Sequence, residues 1–137
     1  MSRIINTDSP GKRRNQELRT CAEILRHLSQ KKELDNEAKD MLAQLVYSLR
    51  AINETIEHSA EVWEGKNYWM KAEELRQEWR WAFALSAKIE GLLRNENMDK
   101  FPEVMVELMK QVGDMKIKKF TRPPETWQNA YKELMKE

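Results

Sequence analysis

The sequence predicts an all-α domain: an antiparallel four-helix bundle built on a long central helical hairpin, with a short C-terminal helix and a flexible N-terminal arm. Three observations carry this prediction. Apolar residues recur in steps of three and four through residues 38–63, and again through 68–93. A link as short as Glu64–Asn67 joins the two runs, which obliges them to lie antiparallel. Glycine and proline number only four each, and most stand between the periodic runs rather than inside them.

Each element follows in order. Residues 1–12, MSRIINTDSPGK, show no helical period and contain Ser-Pro-Gly, so they are expected to form a flexible basic arm ahead of one domain over 13–137. The first helix is expected from about Arg13 to Lys31, with Leu18, Cys21, Ala22, Leu25 and Leu28 on one face. Asp35 or Asn36 then caps a second helix whose stripe is Ala38, Leu42, Leu45, Leu49, Ile52, Ile56, Ser59 and Trp63. Gly65 is expected to supply the left-handed stop. The third helix carries Tyr68, Ala72, Leu75, Trp79, Ala82, Ser86, Ile89 and Leu93. After the polar turn 95–100, Phe101 and Pro102 open a fourth helix through Met105, Leu108 and Val112, which Gly113 ends. DMKIKKFTRPP reads as an extended connector, and Pro123 and Pro124 suit the first turn of a last helix bearing Trp127, Tyr131 and Leu134.

Bulk properties bound the function. At 137 residues and 34% charged residues, the chain is one domain's worth of water-soluble protein. Residues 1–14 lack the apolar core of a secretory signal, and the longest apolar run, Trp81–Leu85, is far below the ~20 residues a membrane span requires. Cys21 is the only cysteine, so no internal disulfide forms and a cytoplasmic location is expected. The net charge of +1 conceals an asymmetry. Residues 1–32 hold eight Lys/Arg against three Asp/Glu, whereas 33–64 hold two against eight. These segments are expected to face each other, within one chain or between copies.

On the wheel of the third helix, Trp79 falls on the core seam, and Trp69, Phe83, Leu85 and Leu92 widen the apolar face, as a central helix would require. Trp81 lies roughly 200° from Trp79, on a face with Met70, Glu74, Gln77, Ala84 and Lys88. Either the last helix covers it through Trp127 and Tyr131, or it anchors a partner. Trp81, Met70 and Trp127 are therefore the candidate protein-interaction residues.

No catalytic constellation is visible, and neither a cofactor nor a metal is expected. His27 and His58 both lack a glutamate three residues earlier, so the Glu-x-x-His pairs of di-iron bundles are missing. Glu54, His58 and Glu61 share an outward face, and the clusters Glu57/Glu61/Glu64 and Glu73/Glu74/Glu78 do not converge on a bundle interior. No phosphate-cradling glycine loop or Cys-x-x-Cys occurs.

Two basic segments carry the other functional signal. SPGKRR at 9–14, with Lys12, Arg13 and Arg14, resembles the Ser/Thr-Pro-x-Lys/Arg elements of histone-type tails, in which a turn presents cations to the A·T minor groove. In KIKKFTR at 116–122, Lys116, Lys118, Lys119 and Arg122 surround Phe120, a mix suited to phosphate contacts and base stacking. The same segments also read as a solvated leader and a charged edge with an aromatic plug. The leading expectation is thus a non-enzymatic module that binds a protein partner or itself, with no role for a membrane. The second is a nucleic-acid-binding protein using the arm and residues 116–122.

Overall fold

The computed structural model describes residues 9–137, and these form an all-helical domain without strands. Helix α1 spans Pro10–Ser29. It starts three residues ahead of Arg13 because Ser9 caps it, its hydroxyl accepting from the Lys12 N–H at 3.3 Å, while Pro10 occupies the first helical position. Residues 10–12 of the expected flexible arm are therefore helical, and residues 1–8 lie outside the described residues. Helix α2 spans Asn36–Gly65, and its N-cap is Asp35, whose carboxylate accepts from the Ala38 N–H at 2.9 Å. Its expected stripe is buried from Ala38 to Ile56, each fully buried Leu or Ile contributing about 1.5–3 kcal/mol. Gly65 stays helical, and it is Asn67, at φ 65°, that takes the left-handed conformation and turns the chain.

The third helix is not continuous. It divides at Trp79, φ −108° and ψ 8°, into α3, Trp69–Glu78, and α4, Arg80–Arg94. The Trp79 N–H still donates to the Leu75 carbonyl at 3.2 Å, but the Ala82 N–H reaches only three residues back, to the Trp79 carbonyl at 3.1 Å. Helix α5 covers Phe101–Val112 and α6 covers Ala130–Met135, with short 3₁₀ turns at 98–100 and 124–126. Asn129, left-handed at φ 64°, separates the second of these turns from α6.

Helix α2, rather than the third helix, is the centre. It touches α1, α3, α4 and α6, while α5 closes against α1 and α4. Of α3 only Ala72 is buried, because this segment packs mainly on α2, with a smaller contact at its junction with α4. Among the described residues no helix is long and apolar enough to cross a membrane.

Candidate functional site

The connector after α5 is fastened to α1 by one buried carboxylate. Glu23 stands among Thr20, Cys21, Ala22 and Ile24, all buried, and is itself inaccessible to solvent. Its two oxygens accept from the Arg19 Nε (2.7 Å), the Thr121 N–H (2.7 Å) and hydroxyl (2.6 Å), and the Arg122 N–H (2.9 Å). Burial pushes the Glu23 carboxyl up, but these four donations outweigh it and hold the group at about 2. Arg122 then lies along α1, donating to the Thr20 hydroxyl (3.0 Å) and the Gln16 carbonyl (2.9 Å), and Arg19 donates to the Lys119 carbonyl (2.9 Å). KIKKFTR is thus held on α1, not a free edge.

Next to this anchor, the His27 ring stacks on Phe120, centroids 3.8 Å apart and planes at 21°, and tilts against Trp127 at 5.3 Å. Phe120 remains 42% exposed, whereas Trp127 is only 3% exposed and donates its Nε1–H to Glu37 at 3.4 Å. The Nε2 of His27 is buried and has no hydrogen-bond partner. Burial lowers the His27 pKa, with Glu23 and Glu37 pulling the other way. His27, Lys31, Glu37, Phe120, Arg122 and Trp127 line an open cleft of 410 Å³.

The structure disperses the first basic segment. Arg14 turns to α2, where it donates to the Thr55 hydroxyl (3.1 Å) and carbonyl (3.3 Å) and the Ser59 hydroxyl (3.2 Å), its guanidinium 5.4 Å above the Trp79 ring. Arg13 sits 3.9 Å from Glu54, so the basic start and the acidic second segment meet within the chain. Consecutive helical residues point about 100° apart, so Lys12, Arg13 and Arg14 cannot act as one cluster. Lys12 instead shares a face with Gln16, Arg19 and Arg26, at helical spacings of four and three. That face receives the connector and its exposed Lys116, Lys118 and Lys119.

A second surface lies at the far end of α2. Tyr68, Trp69 and Met70 are consecutive and 50, 61 and 78% exposed, and Val62 is exposed beside the same turn. Trp63 meets Tyr68 edge-on at 5.7 Å, and the Lys71 ammonium sits 4.9 Å from the Trp63 ring and 5.5 Å from that of Tyr68. Arg76 pins α3 to α2 through Glu57 and Glu64, its Nη atoms 2.8 and 3.0 Å from the latter. Those glutamates thereby have a structural partner, and among the described residues no group of His, Cys, Asp and Glu is arranged to hold a metal. Of the three residues expected to bind protein, Met70 is exposed, Trp81 is half-buried and Trp127 is in the core.

Glu23 and His27 escaped sequence reasoning. The signal available was weak: a carboxylate and an imidazole four apart on a helix bordering apolar positions. Their partners lie about a hundred residues away, and only the fold brings them together. Comparison with protein-family models, with curated proteins and with solved structures finds no match.

Proposed function

We propose that this chain is a non-enzymatic interaction module, a four-helix bundle of α1, α2, α4 and α5, that associates with itself or another protein through the tip of the α2–α3 hairpin. The observation that carries this reading is the exposure of Tyr68, Trp69 and Met70 in succession. A monomer seldom presents contiguous apolar side chains of that size to water, and Trp and Tyr are the residues that dominate interface energetics. The tip is also shaped in advance, since Lys71, Trp63 and Tyr68 brace one another and Arg76 fixes α3. Preorganisation of this kind lowers the cost of association. A reducing cytoplasm suits a chain whose one thiol, Cys21, is buried.

The test is light scattering across a size column at rising concentration, with cross-linking in an extract, for the native chain and for W69S/M70S. The reading requires a complex or oligomer that the double variant loses while keeping its helicity. Native and variant chains that both run as monomers and cross-link alike would sink it.

A further inference from the structure

We infer that the cleft between α1, the start of α2 and the connector receives one nucleotide of a single-stranded nucleic acid, whose neighbouring phosphates track along the basic connector. This site is separate from the hairpin tip: Glu37 and Trp63 are 26 positions apart on α2, about 40 Å at 1.5 Å per residue. Three observations converge on it. The cleft's 410 Å³ falls within the range of small-molecule sites, and a planar aromatic ring forms part of its lining. Phe120, backed by His27, is a stacking platform held from behind and open in front. Bases of any sequence stack on such rings.

Charge supplies the third observation and separates a strand from a free nucleotide. The guanidinium of Arg122, on the cleft wall, donates to three neutral oxygens, those of the Thr20 and Thr121 hydroxyls and the Gln16 carbonyl. Lys119, Lys118 and Lys116 continue from it along the connector, and Arg26 stands on the α1 face that the connector crosses. A single phosphate does not need that many cations; a backbone does. Glu37, held by Lys31 and Trp127, occupies the other rim and directs phosphate toward Arg122. Glu23 has already ordered the backbone of Thr121 and Arg122, so the strand meets a fixed groove instead of a loop it must organise. A duplex lends a base to the cleft only by unpairing and unstacking it, which disfavours it against a single strand.

The experiment is fluorescence anisotropy of a labelled oligouridylate with the full chain. Neutralising four phosphates predicts affinity that falls about 50-fold between 50 and 200 mM salt. K118E/K119E should weaken binding at least about tenfold beyond the control K100E/K132E, which makes the same charge change elsewhere. F120A should weaken it about tenfold, and F120W should restore it, which separates stacking from a disturbed connector. W69S/M70S should bind normally, so this inference and the tip reading fail independently. No binding at low salt, equal affinity for duplex, uridine monophosphate bound as tightly as the strand, binding to phosphatidylserine vesicles alone, or K118E/K119E behaving like its control would each overturn it.

Discussion

Trp79 and Trp81, two positions apart in sequence, lie against each other with ring centroids 5.8 Å apart and planes tilted at 31°. In an undistorted helix such a pair points to opposite sides. The tightened turn at Trp79 brings them together, and neither proline nor glycine stands there to impose it. An aromatic contact contributes about 0.5–1.5 kcal/mol beyond burial, comparable to the hydrogen bond a break forgoes. What covers Trp81 is therefore its own neighbour, with Arg14 over Trp79, while α6 packs on α2 instead.

Trp79→Ala should remove both the contact with Trp81 and the seat for Arg14. We expect a loss of about 2–4 kcal/mol in urea unfolding, together with a reduced near-ultraviolet dichroism signal from the tryptophan pair. Trp69→Ser, at a site 61% exposed, should change stability by no more than about 0.5 kcal/mol.

Glu23→Gln should unfasten the connector. An amide in place of the carboxylate sets donors against donors in a buried site, costing about 2–4 kcal/mol. Hydrogen exchange checks this directly: the Thr121 and Arg122 amides should lose protection while those of α2 keep it.

Acid should destabilise the protein in two stages. His27 has a folded pKa below its ordinary 6.5, so the unfolded chain binds its proton first and stability drops as pH falls through that value. Glu23, held at about 2 against an ordinary 4.5, adds a second loss between those limits, with a slope of at most about 1.4 kcal/mol per pH unit. Glu17, raised by burial despite Ser48, Arg13 and Arg122, has the opposite sign, favouring the fold at low pH until its proton leaves. Melting curves of native chain, H27F and Glu23→Gln from pH 7 to 2 should separate the stages.

Cys21 is fully buried, and burial, with Glu17 nearby, raises its thiol above the ordinary range. A disulfide reagent should react with the native chain at least about a thousandfold more slowly than with the denatured one, since access requires opening. Prompt labelling of native protein would contradict that burial.

The long stripes of α2 and the cap at Asp35 were legible because a local period and a local side chain decide them. The break at Trp79 was not, since a wheel drawn through it continues without a missed step. Drawing the wheel straight also made the third helix central, and sent Trp81 to an unexplained face. Gly65 and Asn67 show a subtler limit: both residues suit a left-handed turn, and the packing of the hairpin chose the asparagine. The two basic segments could be seen in sequence, but their separate fates depend on Glu23 and on the Thr55–Ser59 face of α2.

The Glu23 fastening also sets a timetable. The carboxylate meets Thr121 across 98 residues, and at synthesis rates of about 5–20 residues per second it waits roughly 5–20 s for its partners to emerge. During that interval α1 can nucleate and dock on α2, yet one charged group on its flank stays hydrated and keeps the seam wet. Closure of so long a loop is governed by chain entropy, not by local propensity. The hairpin is complete only once Arg94 has emerged, so late in that interval the nascent chain holds a full hairpin beside an unsealed first helix, and the arrival of a single threonine fastens that helix before α6 follows.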